Sequence, residues 1–349
     1  MTLQQLLGIE LPIIQAPMAG VQGSALCVAV SNAGGLGSLP CATLGLDTMR
    51  AELAAIRAQT TKPFNVNFFC HTPPEPNVER DAAWRTALSP YFTELGIDQH
   101  VVSKAAQRLP FGSEAAEVLR EFRPAVVSFH FGLPSAELLE RVRSWGATVL
   151  SSATTLDEAR WLESHGVDAI IAQGVEAGGH RGIFLSDDLT TQISTWALVP
   201  QMVQAVKVPV IAAGGISNAQ GVVAALACGA AGVQIGTAYL LCPEATTSAV
   251  HRAALQSDAA RVTALTNVFT GRPARGIVNR IMRELGPISA VVPSFPLAAS
   301  ALAPLRAEAE RMGSGEFSPL WAGRDTSGCK EIAASVLTRE LAGQTISAS

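Results

Sequence analysis

Short apolar runs alternate with longer amphipathic stretches along this chain, and no other feature limits its possible folds as strongly. Such alternation is typical of repeated βα units around a parallel sheet. Between the last two runs, Asn218–Cys228 begins with a capping residue and has the length of a crossover helix. Eight runs have the length of a strand: Pro12–Ala16, Gly35–Leu39, Phe64–Phe69, Val126–Phe131, Thr148–Ser152, Ala169–Gln173, Pro209–Ala213 and Gly232–Ile235. Eight parallel strands favour closure into an α/β barrel, the (β/α)8 or TIM barrel.

A doubly wound open sheet is the competing architecture. It would normally carry a glycine-rich fingerprint between its first strand and its first helix. Here the glycine-rich stretch Gly34–Gly37 follows a helical pattern and opens a strand, which is the wrong context for that fingerprint. We therefore expect a barrel.

Two stretches exceed what a minimal barrel needs. His71–Arg123 is much longer than an ordinary connection and contains several helical patterns, so we expect a helical insertion over about residues 71–123. Residues 245–349 follow the last strand and mix helical patterns with proline-rich turns. We expect residues 1–244 to form the barrel, and residues 245–349 to form a mainly helical segment that packs at its mouth.

Composition narrows the range of partners. The 349 residues are 48% hydrophobic and 15% charged, with a formal net charge of −4, so we predict no nucleic-acid partner. The apolar runs fall far short of the roughly 20 residues that span a bilayer. Pro12 and Pro17 interrupt the N-terminal apolar stretch, which no basic region precedes, so we expect no secretory signal. These features predict a cytoplasmic protein without a membrane partner, as a monomer or homodimer.

The six cysteines are scattered without a CxxC pair or a regular spacing. This pattern predicts neither a disulfide framework nor a zinc site, and we expect no metal.

The residues at the carboxyl ends of the strands are the candidates for chemistry, because barrels build their active sites there. Strands seven and eight end in Gly214-Gly215 and in Gln234-Ile235-Gly236-Thr237. Glycine lets the backbone approach phosphate oxygens, and Thr237 offers a hydroxyl. A single glycine pair often serves tight geometry alone, but two such turns at these positions favour a phosphate site.

Other strand ends carry groups that suit an aromatic heterocycle. Asn67 and Gln173 are neutral amides that donate and accept, as a flavin's pyrimidine edge or ribityl hydroxyls require. Met18 follows Pro17 at an abrupt strand end, where backbone groups could bond a ring nitrogen. Buried structural polar residues are the alternative for both amides.

Five stretches together resemble the nitronate monooxygenase family, formerly called 2-nitropropane dioxygenases, and in particular its class I branch. They are PIIQAPMAGVQ, PFNVNFFCHTPP, DAIIAQGVEAGGHRG, PVIAAGGI and VQIGTAYL, in this order over residues 11–242, and AQGVEAGGHRG is the most specific. The resemblance implies a barrel that binds FMN non-covalently through Met18, Asn67, Gln173, Gly178, Gly215 and the run Gln234, Ile235, Gly236 and Thr237. To this set the strand-end analysis adds Gly214.

The resemblance also gives His180 the catalytic role. His180 follows two glycines beyond strand six, where its imidazole can reach over the mouth to take a carbon-bound proton or bind an anion. His130, at the end of strand four, is a second catalytic candidate, or else it holds His180 or the flavin in place. His71 is more typical of a turn-stabilising residue. We assign no chemistry to His100, His165 or His251.

The implied reaction is the oxidative denitrification of an alkyl nitronate, such as propionate 3-nitronate, by dioxygen to a carbonyl compound and nitrite. In it, His180 screens the charge of the anion. Arginines are candidates for a substrate carboxylate, although most are expected to be solvated: Arg181, Arg272, Arg275, Arg280 and Arg283. Class I members often carry tyrosines and a lysine near the position of Phe295, whereas this chain has no tyrosine after Tyr239. This departure leaves the substrate preference open.

Three other functions fit parts of the pattern. An NAD(P)H-dependent quinone or enoyl reductase uses a related barrel, and NADH oxidation would reveal it. An aldolase without flavin is disfavoured, because no lysine stands at a strand end. A flavin-binding or storage protein is the non-enzymatic alternative.

Overall fold

Parallel pairing joins eight strands of the chain into one closed sheet. The computed structural model describes residues 1–98 and 108–344. The strands are β1 (Ile13–Gln15), β2 (Gly37–Pro40), β3 (Phe64–Phe69), β4 (Val126–His130), β5 (Thr148–Ala153), β6 (Ala169–Gln173), β7 (Gly179–His180), β8 (Val210–Ala213), β9 (Gly232–Ile235), β10 (Thr263–Thr266) and β11 (Ala274–Ile277). The large sheet has the order β1-β9-β8-β6-β5-β4-β3-β2. A bridge between Ile14 and Leu36 joins its two ends, with Leu36 N–H donating to the Ile13 carbonyl at 2.9 Å.

The predicted barrel is therefore confirmed, and the open-sheet alternative is wrong. Each predicted strand corresponds to an observed one, with ends that shift by up to two residues. The largest shift is at β2, because Gly35 lies outside the ladder and Leu36 makes only the closing bridge.

The helices lie around this sheet, across its amino end and above its mouth. They are α1 (Leu3–Leu7), α2 (Ser24–Asn32), α3 (Leu46–Gln59), α4 (Val78–Glu94), α5 (Ser113–Phe122), α6 (Ala136–Arg143), α7 (Leu156–Ser164), α8 (Thr195–Ala205), α9 (Ala219–Ala227), α10 (Ala249–Leu255), α11 (Arg280–Glu284), α12 (Ala298–Arg311) and α13 (Ala334–Leu341). Short 3₁₀ helices lie at Leu189–Thr191, Thr237–Leu241 and Asp258–Arg261. None of the helices in the described residues is long and apolar enough to span a membrane.

The barrel is apolar at its amino end and polar towards its carboxyl end. Leu3 and Leu7 of α1 close the amino end by packing against Ile14 and Ile211, which point into the barrel. Higher up, Asn65 donates to the hydroxyls of Ser38 and Ser128 at 3.0 and 2.9 Å. Burial of these groups is tolerated because they bond one another. The polar groups of the barrel interior thus lie towards its carboxyl end.

The last helix completes the ring of helices around the barrel. α13 packs against α2 and α9, the helices that follow β1 and β8. The Tyr239 hydroxyl, after β9, lies 2.9 Å from the Thr338 hydroxyl of α13. The outer layer thus draws on residues 334–341 as well as on residues 1–244.

The two long stretches meet above the barrel mouth. The insertion contains α4 and α5, while its residues 99–107, with His100, lie outside the described residues. Trp84 of α4 packs in one cluster with Leu302 and Leu305 of α12, and its Nε1 donates to the Ala298 carbonyl at 3.3 Å. The C-terminal segment, expected to be mainly helical, also contributes β10 and β11, which form an antiparallel sheet with β7. Alternation is weak in such short strands, so periodicity did not indicate them.

Candidate active site

The carboxyl ends of the barrel strands open into a cavity of about 430 Å³. All the residues predicted to bind a cofactor line it: Met18, Asn67, Gln173, Gly178, Gly214, Gly215, Gln234, Ile235, Gly236 and Thr237. His130 and His180 line it too, whereas His71 is buried beside Phe295. The residues predicted from the strand ends thus lie together in one cavity. Their individual roles stay predictions.

One end of the cavity is lined by backbone. Gly214 has a φ of +117°, which a side chain would make costly. A Cβ on Gly178 would lie 2.6 Å from the backbone nitrogen of Gly323. Thr237 Oγ1 accepts the Gly323 N–H at 2.9 Å and keeps its own hydrogen to donate. This end can approach a phosphate closely and donate to it.

Gly323, which the sequence analysis missed, comes from the segment before α13. A single glycine after Trp321 carries no pattern that would have indicated it.

The amides differ in what they leave available. Asn67 donates through Nδ2 to the Ser128 hydroxyl at 2.9 Å, and its Oδ1 has no hydrogen-bond partner among residues 1–98 and 108–344. In the same part of the chain, the buried Oε1 of Gln234 also lacks a partner. A buried acceptor without a partner, such as Gln234 Oε1, is costly unless a ligand donates to it, and Asn67 Oδ1 is likewise unbonded at the cavity. These two side chains therefore suit the donor edge of a heterocycle.

Gln173 and Met18 are engaged within the protein. Gln173 donates to the His180 carbonyl at 2.9 Å and accepts the Gly182 N–H at 2.7 Å, so it holds the segment that carries His180. The Met18 N–H donates to Gln22 Oε1 at 3.0 Å, and its carbonyl accepts from Val21 at 3.3 Å. The N–H of Met18 is thus bound within the protein, while its carbonyl keeps a second lone pair for a ligand, and the role of Met18 stays a prediction.

His180 lies on the two-residue strand β7, which pairs with β11. Its Nε2 lies 2.9 Å from the hydroxyl of Thr270, which is 2% exposed. Nδ1 has no hydrogen-bond partner within residues 1–98 and 108–344. Nδ1 is therefore the ring nitrogen that a ligand in the cavity can reach.

His130 is bound through both ring nitrogens. Its Nε2 lies 3.2 Å from the His180 carbonyl, an acceptor only, so Nε2 carries the hydrogen. Its Nδ1 then accepts from the Ser152 hydroxyl at 2.9 Å. Burial lowers the pKa of His130 to about 3. Of the two roles left open for His130, this geometry favours holding His180 in place.

Aromatic rings surround the imidazole of His180. The ring centres of Phe295, Trp321 and Phe69 lie 5.3, 5.7 and 6.0 Å from it. Burial among them lowers the pKa of His180 well below its ordinary value, and the charges of Arg108 and Arg272 act in the same direction. His180 is therefore neutral at neutral pH.

None of the arginines proposed for a substrate carboxylate lines the cavity. Three of them, expected to be solvated, instead bind backbone carbonyls. Arg181 donates to the carbonyls of Gly174 and Gln173, and Arg275 donates to that of Val175. Arg272 donates to the Ile183 carbonyl, and its guanidinium lies 4.0 Å from the centre of the Phe131 ring. Arg280 and Arg283 pair with Glu94 and Glu316. The arginines that do line the cavity are Arg108 and Arg306, from the insertion and from α12. Neither belongs to a strand end, so the strand-end rule did not reach them.

Comparisons with known proteins agree over nearly the whole chain. A family model described as nitronate monooxygenase matches residues 1–343. The nitronate monooxygenase of Pseudomonas aeruginosa is 43% identical over 340 residues, covering 97% of each chain. That of Paraburkholderia phytofirmans is 41% identical over 339 residues, covering 96% of this chain and 92% of its own.

Solved structures give the same picture. A nitroalkane oxidase from Streptomyces ansochromogenes superposes with a TM-score of 0.88 at 38% identity, covering 98% of this chain and 97% of that one. FabK from Thermotoga maritima follows at a TM-score of 0.72 and 26% identity, covering 98% and 94%.

The aromatic surroundings predict how His180 titrates. Phe295→Ala should raise the pKa of His180 towards 6.5, because water entering beside the ring stabilises its charged form. Phe317→Ala is the matched control, since Phe317 is 2% exposed but packs against Tyr91 instead. The measurement is an NMR pH titration of the ring protons of His180. Equal shifts in both variants would contradict this account of its pKa.

Proposed function

This chain belongs to the nitronate monooxygenase family, and from this premise we propose that it uses FMN and dioxygen to convert alkyl nitronates to carbonyl compounds and nitrite. Family membership makes the chain a flavoenzyme and an oxidoreductase that oxidises nitronates. The observation that carries the finer proposal is the cavity, which is lined both by the glycine backbone and by a neutral His180 whose Nδ1 is unbonded within the described residues.

The residues of the cavity fit FMN. The backbone around Gly178, Gly215, Gly236 and Gly323, with the hydroxyl of Thr237, would hold the phosphate. The acceptors Asn67 Oδ1 and Gln234 Oε1 would receive N–H groups of the ring or hydroxyls of the ribityl chain. When bound, the flavin supplies the electron acceptor for the substrate anion.

The protein positions a substrate that is already reactive. A nitronate is electron-rich and deprotonated, so catalysis depends on orientation and on the surrounding charges. Because His180 is neutral, it does not supply the charge screening that the sequence assigned to it. A neutral imidazole has an unprotonated ring nitrogen, which is the state that a base removing the α-proton from a neutral nitroalkane requires.

Thr270 prepares His180 for this proton. When Nδ1 takes a proton, both ring nitrogens carry hydrogen, and Nε2–H needs an acceptor. Thr270 Oγ1 lies 2.9 Å from Nε2, and its hydroxyl can donate onward to the Arg272 carbonyl at 3.4 Å. Thr270 is thus a positioning residue that satisfies the protonated ring.

The alternatives are less well supported. The family match and the 43% and 41% identical relatives favour nitronate oxidation over the NAD(P)H-dependent reductase, for which the geometry offers no separate support. A storage protein would not require an unbonded ring nitrogen facing its cavity.

The test of the proposed function is anaerobic mixing of the purified protein with propionate 3-nitronate, followed by admission of air and assay of nitrite. The flavin absorbance should change on mixing, and nitrite should appear with oxygen. With a neutral nitroalkane, His180→Ala should lower the rate by about 100-fold or more, because the base is lost. His165→Ala is the control, because His165 is exposed and stacked on Trp161. It should change neither the flavin response nor the rate with a nitroalkane.

Each contrary outcome points to a different function. A colourless protein contradicts the flavin assignment. A flavin that responds only to NAD(P)H indicates the reductase, and one that responds to neither indicates a storage protein.

A second prediction concerns FMN itself. Gly178→Ala should weaken FMN binding roughly tenfold, because its Cβ would displace the Gly323 backbone from the phosphate end. Gly45→Ala, where a Cβ meets nothing within 4 Å, is the control. Fluorescence titration of the flavin-free proteins measures the affinity, and mass spectrometry of the flavin released by heat identifies it. Release of FAD instead of FMN would rule out the cofactor assignment.

A third prediction separates the role of Thr270 from simple stability. Thr270→Val should slow turnover of a neutral nitroalkane about tenfold or more, because the protonated ring loses its acceptor. Turnover of the preformed nitronate, which needs no proton transfer to His180, should change much less. Thr270→Ser should restore the nitroalkane rate. Equal losses with both substrates would mean that Thr270 only supports the fold.

A further inference from the structure

Arg108 is held at the cavity mouth by the chain that follows it. Three residues downstream, Phe111 donates its N–H to the carbonyl of Phe69, the last residue of β3, at 2.8 Å. The ring of Phe111 lies 4.7 Å from that of Phe68 and 5.4 Å from that of Phe129. These contacts fix the segment to the carboxyl end of the barrel, where Arg108 lines the same cavity as Asn67 and His180.

Within the described residues, Arg108 differs from Arg306, the other arginine of this cavity, in having no acidic partner. Arg306 pairs with Glu310 at 2.8 Å, and Asp325 accepts from the hydroxyl of Ser217 at 2.5 Å. Within residues 1–98 and 108–344, no carboxylate forms an ion pair with Arg108. The charged group that acts on it is another cation, Arg306.

A partly buried guanidinium without a counter-ion is costly, because it has lost water and gained no opposite charge. Burial accordingly lowers the pKa of Arg108. An anion in the cavity would compensate this cost. The chain as a whole is negative, with a net charge of −4, so only local cations can favour the entry of a substrate with two negative charges.

The guanidinium group also indicates the kind of anion. Its planar set of donors matches a carboxylate through two parallel hydrogen bonds. Arg108 acts electrostatically on His180, and both residues line the same cavity. A ligand that satisfies both carries the reacting carbon at one end and a carboxylate at the other.

We propose that Arg108 is a specificity-determining residue, which binds the distal carboxylate of a nitronate whose reacting carbon lies against His180. The charge of Arg306 is balanced by its ion pair with Glu310, which leaves Arg108 as the partner for the carboxylate. The inference rests on the proposed function and adds to it the residue that selects a nitronate with a carboxylate over one without.

The kinetic test compares two nitronates of equal chain length, propionate 3-nitronate and propyl-1-nitronate. Arg108→Gln should lower kcat/KM for the first by about 10- to 100-fold, mainly through KM, and should change the second less than about threefold. Arg108→Lys should recover part of the loss, because it keeps the charge but not the paired hydrogen bonds. Arg261→Gln, an exposed arginine paired with Asp258, is the control for net charge. Equal losses with both nitronates would overturn the proposal.

A binding test decides the matter without turnover. Succinate resembles 3-nitropropionate with a carboxylate in place of the nitro group, whereas 1-nitropropane has the nitro group but no carboxylate. In anaerobic calorimetry on the flavin-loaded protein, Arg108→Gln should weaken succinate binding at least about tenfold and 1-nitropropane binding less than about threefold. Retained flavin absorbance and an unchanged Tm would show that the variant is folded.

The two proposals fail in different ways. A wild-type protein that binds succinate through Arg108 but oxidises neither nitronate would contradict the proposed function alone. A wild-type protein that oxidises both nitronates, but whose succinate affinity is unchanged in Arg108→Gln, would overturn the role of Arg108 alone. Equal losses of affinity for succinate and 1-nitropropane in this variant would overturn it as well.

Discussion

Closure of the sheet through β1 is the constraint on which the rest of the structure depends. β1 pairs with β9 on one side and reaches Leu36, next to β2, on the other. Because all eight strands are parallel, closure places all their carboxyl ends on one rim. Glycine turns, amides and histidines that are far apart in sequence then share a single cavity. An open sheet with the same strands would spread these groups along an edge, and the cavity would not be enclosed.

The placement of His180 shows how the barrel and the C-terminal segment divide the work. The barrel supplies Gln173 and His130, which bind the carbonyl of His180 and fix its backbone. The C-terminal segment supplies Thr270 at the ring and Phe295 and Trp321 around it. Backbone position and ring chemistry are thus set by different parts of the chain. This division allows the surroundings of the imidazole to vary without disturbing the barrel.

Sequence was sufficient wherever a residue's place follows from the repeating βα pattern. The strands were predicted because each apolar run is short and bounded by turn residues, and Asn67 or Gly215 then followed from its position at a strand end. Arg108, Thr270 and Gly323 were missed, because they reach the cavity through contacts between segments outside the repeat. The hydrogen bond from the Met18 N–H to Gln22 is another such contact, which no local pattern indicates. Burial of Arg181 and Arg275 was also missed, since charged residues are solvated by default and only tertiary structure shows which carbonyls bind them.

The position of α13 has a consequence for how the molecule is made. The helix that packs between α2 and α9 begins at Ala334, almost a hundred residues after β9 ends at Ile235 (334 − 235 = 99). During synthesis on the ribosome, the strands of the barrel therefore emerge well before the helix that covers their last neighbours. The apolar faces of α2 and α9 must remain uncovered, or be shielded by other proteins, while the intervening segment is translated. The order of translation thus makes assembly of the outer layer a late event, although β1 and α2 are among the first elements to emerge.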